Sequence, residues 1–375
     1  MKEKKHLNAL QTLNSIVLGI NSILSQILFV KIWLSVFMGN EIALGIFFAF
    51  WAVFILAGSF TGRFFPERTK NRIFFVAVLN LIFILLLFAE FFLLYKIRAS
   101  FIPGTMVDPV NMLIFGLMIF PSNFILGLTF TYLASFKNAL TSEKIYFFES
   151  IGFLSAGLLY SFLMAVLFNN FQIFIILAFI NIISSSLSFF NCIKKSSAFI
   201  LLISFLFIFL IYRSDKIYKV IISKNIPGYE LMQVKDSFYG SLWTVKKDDQ
   251  YSILKNNLPV INSDNYPFSE EFIRWSLGFA NNPREILIIG FQPDFFSEID
   301  KFNVKTADIV ETDREMINMM NKNFPEKYLQ YLFNDKVIFH FTDPLYYIKT
   351  TSKKYDSVIL NLPEITDISV NKLFT

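Results

Sequence analysis

Ile286-Leu287-Ile288-Ile289-Gly290 is a continuous apolar run that ends in glycine, the pattern of a strand buried on both faces of a parallel sheet. Comparable short runs follow: Ala307-Asp-Ile-Val310-Glu311, Val337-Ile-Phe339 and Ser357-Val-Ile-Leu360-Asn361. Helical stretches lie between them, including Arg314 to Asn323 and Pro344 to Thr350, so the segment reads as a doubly wound α/β sheet. Upstream, Glu270 to Phe279 has a helical pattern that Asn281-Asn-Pro283 stops. Val220 to Tyr251 alternates apolar and polar residues around Gly240, as short antiparallel strands do.

Toward the N-terminus the composition changes. The chain has 375 residues, is 54% hydrophobic and contains 48 Phe. Its mean hydropathy of +0.52 is one that soluble domains seldom reach. Residues 11–62 carry very little charge, whereas residues 213–375 carry it at ordinary soluble density. A membrane span needs about 20 mainly apolar residues. Segments near 11–37, 42–62, 73–97, 110–133, 146–168, 171–193 and 197–212 meet that need, the last being the shortest. The expected organisation is a polytopic α-helical membrane domain of about seven helices over 1–212, a small β-domain over 213–268, and a Rossmann-like domain over 269–375.

The basic start Met1-Lys-Glu-Lys-Lys5 precedes an apolar stretch too long for a signal-peptide core and without a small-residue cleavage site, so it is expected to remain as an anchor. Arg63, Arg68, Lys70 and Arg72 cluster between two spans, and Lys137, Lys144, Lys194 and Lys195 mark two further loops as cytoplasmic. A multi-pass inner or plasma membrane protein follows. Seven spans would place the C-terminal domain outside, while Arg213, Lys216 and Lys219 favour the cytoplasm, which is where that domain is expected.

The net charge of +5 is that of a protein with basic cytoplasmic loops, and no Lys/Arg run interleaves with aromatics, so nucleic acid is not an expected partner. Cys192 is the only cysteine and His6 and His340 the only histidines, so neither an internal disulfide nor a metal site is expected. Gln26, Lys31, Glu90 and Glu149 stand inside apolar segments, where a polar or charged side chain is a functional candidate. A structural reading stands beside that one: Lys31 and Glu90 lie near span ends and can snorkel, and Glu149 can begin a helix.

In a doubly wound sheet the ligand sits outside the carboxyl ends of the strands, and an acid after the second strand grips ribose hydroxyls. Glu311 lies 21 residues beyond Gly290, close to the spacing of about 20 that this geometry gives. An ordinary solvated carboxylate is the alternative. Phe291-Gln-Pro293-Asp294 replaces the glycines normally wanted in the first turn. Asp343, after the third strand, suits either an adenine amino group or the cap of the helix beginning at Pro344.

These residues together resemble the membrane-bound branch of the spermidine synthase family. The resemblance rests on Gly228-Tyr-Glu230, Val234 to Gly240, Gln250-Tyr-Ser252, Ser269-Glu-Glu271, Ile286 to Gly290, Val310 to Asp313, Tyr355-Asp356, Asn361-Leu-Pro-Glu364 and Asn371 to Thr375. Gly39 to Gly45, Gly58-Ser59 and Glu149 to Gly152 resemble that branch's transmembrane portion. The resemblance implies transfer of an aminopropyl group from decarboxylated S-adenosylmethionine to an amine such as putrescine. It further implies that Glu311 holds the ribose, Asp343 the adenine, and the region of Gly290 the methionine-derived tail. In soluble members an acidic pair follows the fourth strand; here its first position is Asn361 and only Glu364 keeps a carboxylate. Asn cannot serve as a base. Phe268 and Pro259 depart from the family's Tyr and Gln, while Asp264 and Glu270 stay as amine contacts.

The family sheet has about three strands beyond the fourth, so a truncated reading frame is expected, with an open sheet edge. A transporter or sensor that binds polyamine or nucleoside without catalysis is the rival reading, in which Glu90 and Glu149 matter more. Self-association is left open. The loop around Arg68 carries the densest basic cluster, so a cysteine at position 69 (Thr69→Cys, in a Cys192→Ser background) should resist an impermeant maleimide added to intact cells. Efficient labelling from outside would overturn this topology.

Overall fold

The computed structural model describes residues 2–37, 41–64, 72–98, 100–101, 107–136, 140–190, 197–224, 226–330 and 335–362. They form two compact units that divide between Ile221 and Ile222.

The first unit is helical. It contains α1 (Lys2–Val36), α2 (Glu41–Gly62), α3 (Arg72–Arg98), α4 (Pro109–Ile119), α5 (Pro121–Ala134) and α6 (Ser142–Leu159). A π-helical turn over Tyr160–Met164 leads to the short α7 (Ala165–Leu167), then α8 (Asn170–Phe190) and α9 (Ser197–Ser223). Among the described residues five helices are long and apolar enough to cross a membrane, or six if α4 and α5 form one broken span. The expected single span over 110–133 is thus two helices bent by 49°. Pro121 opens α5 at the break, where its missing N–H and fixed φ suit a helix start and not a helix interior.

Two corrections concern boundaries. The expected domain edge at Arg213 falls inside α9, because no proline or glycine interrupts the helix before Pro227-Gly228. The residues after Val220 are accordingly helical, and strands begin only at Glu230. Glu149 also does not begin a helix, since α6 starts at Ser142.

Glycines set the closest approaches in this unit. A Cβ on Gly19 would lie 2.0 Å from the carbonyl oxygen of Glu149, and one on Gly152 would lie 2.1 Å from that of Ile16, so α1 and α6 touch backbone to backbone. Gly58 and Gly127 do the same for α2 and α5, with Ser59 Oγ donating to the Gly127 carbonyl at 3.2 Å. Buried amides join α1, α3 and α8. Asn14 donates to Ser188 Oγ at 3.1 Å and to the Leu10 carbonyl at 2.8 Å, and it accepts from Asn80 at 3.0 Å and Ser184 at 3.1 Å. Asn21 and Asn181 exchange two hydrogen bonds of 2.8 and 2.6 Å. Where no water reaches, an amide must find all its partners inside the bundle.

The second unit has two sheets. An antiparallel sheet runs in the order β1 (Glu230–Ser237), β2 (Gly240–Lys247), β3 (Gln250–Lys255), β4 (Leu258–Asn262). Asn256 and Asn257 both take positive φ in the two-residue turn between β3 and β4, a conformation Asn tolerates. Helix α10 (Tyr266–Gly278) follows, starting one turn before the expected Glu270 because Pro267 is readily accommodated in a first turn. The parallel strands are β5 (Glu285–Ile289), β6 (Thr306–Glu311), β7 (Val337–Phe341) and β8 (Ser357–Leu360), with α11 (Phe295–Ile299), α12 (Arg314–Asn323), α13 (Glu326–Leu329) and α14 (Pro344–Thr350) between them. Their spatial order is β7-β6-β5-β8, so the chain reverses its direction of travel across the sheet between β5 and β8. One core holds both sheets: Leu242, Ile253 and Ile261 meet Ile273, Leu277, Ile286, Ile288 and Ile309.

The glycine contacts yield a test in the helical unit. Gly19→Ala should lower the thermal midpoint of the detergent-solubilised protein, by the equivalent of about 1–3 kcal/mol for an overpacked contact. Gly157→Ala should leave it nearly unchanged, because its Cβ would meet only Ile23 Cγ1 at 3.6 Å. Equal melting of the two variants would contradict the close contact between α1 and α6.

Candidate functional site

The reversal between β5 and β8 sets the site. Gly290 takes φ +73, and a Cβ there would lie 2.1 Å from the carbonyl oxygen of Asn361. Both the dihedral and the neighbouring backbone therefore demand glycine. The Asn361 amide donates to the Ile289 carbonyl at 2.9 Å, which closes the junction at the carboxyl ends of the two strands. Asn361 thus follows the fourth parallel strand, and its backbone carbonyl lies directly against Gly290. Glu364 lies outside the described residues.

Beyond Gly290 the turn is filled. Phe291 and Phe295 are buried in the core, and Phe291 packs on Phe296 and Phe339. Gln292 and Asp294 turn toward β4 and the loop after it: the Gln292 amide bonds Asn262 and Val260, and the Asp294 carboxylate accepts from the Asn265 amide at 2.8 Å. Burial pushes the Asp294 carboxyl up from its ordinary pKa and the charge of Asp264 adds to the effect, while the bond from Asn265 opposes both.

Glu311 ends β6, beside β5, whose Ile289 pairs with Val310. It is half-buried and accepts the Asp313 amide at 2.9 Å. Burial is the main influence raising its pKa, against backbone bonds from Asp313 and Thr312 and the charge of Lys255. Asp313 itself caps α12 by accepting from Glu315 N, and Ser237 Oγ donates to it at 2.5 Å. Asp343 caps α14, accepting from Leu345 N at 2.9 Å and Tyr346 N at 3.3 Å. Of its two sequence readings, the cap is the one whose geometry is present.

Asp264 sits at φ +57 between β4 and α10, 3.8 Å from Lys327 Nζ and beside Tyr328. Glu270 lies elsewhere, paired with Arg274 at 2.5 Å in an open groove of about 500 Å³ formed with Pro267, Glu271 and Trp275. Neither Gly290, Glu311 nor Asp343 lines that groove. The structure therefore gathers Gly290 and Asn361 at one strand junction, with Glu311 on the next strand, and leaves Glu270 on the surface of α10. Phe268 stacks on Phe272, and Pro259 pairs with Leu254 across β3 and β4.

In the helical unit, Glu90 of α3 is buried and accepts from Ser122 N and Ser122 Oγ, both at 2.6 Å, where α4 and α5 break. It satisfies an orphan N–H of the α5 start. Lys31 lies over the Tyr160 ring at 5.4 Å, at the π-helical turn. Glu149 is half-buried on the α6 face that meets Gly19.

Sequence reasoning missed a polar cluster on the other face of the parallel sheet. Asp308, 2% exposed in its side chain, bonds Lys353 at 2.7 Å, Tyr355 at 2.8 Å and His340 at 3.0 Å. Lys353 also meets Glu285 at 2.9 Å, and Tyr347 bonds Tyr355 at 2.6 Å. The available signal was an acid at position 308 inside the short run 307–310, whose other residues are apolar. No group of three or more His, Cys, Asp or Glu side chains among the described residues is arranged to hold a metal.

Residues 267–375 match the spermine/spermidine synthase domain. A spermidine-synthase-type domain occupies this end of the chain. The chain is similar to the polyamine aminopropyltransferase of Methanocaldococcus jannaschii, with 32% identity over 114 residues, 30% of this chain and 39% of that protein. It is also similar to putrescine N-methyltransferase 2 of Nicotiana attenuata, with 26% identity covering 40% of this chain and 38% of that one. A spermidine synthase crystallised with the transition-state analogue AdoDATO aligns at 17% identity and a TM-score of 0.35, covering 39% of this chain and 50% of that one. The chain thus spans about two fifths of the length of the curated relatives it matches.

The Asp308 cluster gives a stability test. Burial works against its charge, yet bonds from Lys353, His340 and Tyr355 hold the Asp308 carboxyl below the usual range. A depressed folded-state pKa gives stability that is present above the unfolded value of about 3.9 and lost as pH falls through the folded value. Asp308→Ala leaves Lys353 paired with Glu285 but removes the buried partner of Tyr355 and His340, and should cost about 1–3 kcal/mol in urea denaturation at pH 7. It should also flatten the loss of stability in acid. A loss under about 0.5 kcal/mol, the range of ordinary surface changes, would place the cluster among exposed ion pairs.

Proposed function

We propose that the chain transfers an aminopropyl group from decarboxylated S-adenosylmethionine to a small amine such as putrescine, on a domain anchored by helices that cross the inner or plasma membrane. The observation that carries this reading is the Gly290–Asn361 junction at the strand reversal, with Glu311 ending the adjacent strand, in a segment that matches the spermine/spermidine synthase domain. In a sheet of this order a nucleoside lies across that crevice. Glu311 accepts bonds from the ribose hydroxyls, and Asp264 contacts the cationic acceptor. The membrane assignment draws on the length and apolar composition of the five or six helices. The side of the membrane draws on the basic loops.

The chemistry needs no covalent intermediate. The amine nitrogen's lone pair forms a C–N bond to the methylene carbon next to the sulfonium, the C–S bond breaks with its electrons going to sulfur, and methylthioadenosine leaves. The nitrogen's proton passes to a carboxylate. Asn361 has no basic atom to receive it, and its carbonyl faces Gly290, so Glu364 is the group assigned to accept the proton. Placing amine and donor in line supplies most of the acceleration.

A second reading, a transporter or sensor for polyamines or nucleosides, draws on the break between α4 and α5. A helix interrupted at membrane depth beside a carboxylate is how many transporters build a substrate site. Here Glu90 is already engaged by Ser122 as a cap, which weighs against it.

Glu311→Ala should weaken methylthioadenosine binding by about 1–3 kcal/mol in calorimetry, the cost of a lost charged acceptor. Glu364→Gln should lower aminopropyl transfer about 100-fold or more while nucleoside affinity changes little. Full transfer by Glu364→Gln would remove its role. Absence of transfer by the wild-type chain with every diamine tried, together with substrate uptake dependent on Glu90, would favour the second reading.

A further inference from the structure

The turn after β5 carries a feature that the reaction alone does not call for. Gln292 is 7% exposed, and its primary amide faces β4. Its Oε1 accepts from the Asn262 amide at 2.8 Å, and its Nε2 donates to the Val260 carbonyl at 3.0 Å. β4 is the last strand in its sheet order, so these two backbone groups lie on an edge with no neighbouring strand in that sheet. A side-chain amide has the donor and acceptor of a peptide group and here takes the place of a strand. Two residues on, Asp294 accepts from Asn265 N at 2.8 Å. The donor-side turn and the segment 260–265 are therefore fastened at both ends of that segment.

Asp264 lies inside the fastened segment. Its φ of +57 lies in the left-handed region, which Asp tolerates better than most non-glycine residues. Gln292 on one side and Asp294 on the other hold the backbone that flanks it. We propose that Gln292 is a positioning residue, which holds the loop bearing Asp264 at a fixed place relative to the turn at Gly290 and so sets the amine contact against the donor crevice. The inference rests on the reading of Asp264 as an amine contact. It explains why the turn can dispense with further glycines: its side chains hold the acceptor loop, and Gly290 alone keeps the backbone junction open.

The test uses the full chain in detergent, with Gln292→Ala and Gln292→Glu. Hydrogen exchange of the segment 258–265 reads the fastening, and calorimetric titration with putrescine and with methylthioadenosine reads its consequence. Gln292→Ala should lose protection at Asn262 and raise the putrescine Kd about tenfold, the scale of one or two buried hydrogen bonds, while the methylthioadenosine Kd changes less than about twofold. Gln292→Glu keeps the acceptor for Asn262 but not the donor to Val260, and should fall between. In an Asp264→Asn background the effect of Gln292→Ala on putrescine should vanish, since no carboxylate is left to position. Unchanged protection, or lost protection with unchanged putrescine affinity, overturns the positioning role. Equal loss of both ligands with a lower melting temperature overturns it in favour of plain stabilisation. Failure of the wild-type chain to bind any diamine instead overturns the reading of the function and the role given to Asp264.

Discussion

The contact between Gly290 and the Asn361 carbonyl is the constraint on which the α/β unit depends. β5 must leave the sheet in a left-handed turn at the same point where β8 ends, and no side chain fits between the two backbones. The Asn361–Ile289 bond holds the strands together up to that point and no further. The strand order changes direction there, with β6 and β7 on one side of β5 and β8 on the other, which is where sheets of this kind bind their ligands. Glu311 stands next to that junction because β6 pairs in register with β5, Val310 against Ile289.

Beyond that point the unit departs from a glycine-lined phosphate turn. Phe291, Phe295 and Phe296 join the core that also holds Leu242, Ile253 and Ile261 of the antiparallel sheet. Burying three aromatic side chains is worth several kcal/mol of apolar transfer, and it ties the turn to both sheets at once. Gln292 and Asp294 then satisfy backbone groups of the β4 edge that would otherwise need water or another strand. The result is a loop after β4 held by side chains on both sides of Asp264, which sits at φ +57.

The helical unit solves a different problem. These helices are so apolar that apolar packing alone does not single out one pairing, so small residues and amide bonds select the partners. Gly19 with Gly152 and Gly58 with Gly127 bring backbones into contact, while Asn14 uses both its donors and accepts twice. Glu90 belongs to the same logic: it satisfies the start of α5 where Pro121 breaks the path of the chain.

The amino-acid sequence by itself determined the two regimes of the chain, the strand runs at 286–289 and 357–360, the helices at 314–323 and 344–350, and the glycine at position 290, because period and propensity are local properties. It also placed Glu311 at a strand end and Asn361 after the fourth strand. It missed the break at Phe120–Pro121 inside one apolar run, since an apolar window averages over a single proline. It carried the domain edge to Arg213, where charge returns, although α9 continues to Ser223. It could not separate the two readings of Asp343, because a cap is defined by hydrogen bonds to Leu345 and Tyr346. Only the tertiary structure decided that Asp308 gathers Lys353, His340 and Tyr355, and that Gln292 reaches β4 across 30 residues of chain. Those contacts join segments far apart in sequence, and their geometry is set by strand order and register, which no local pattern encodes.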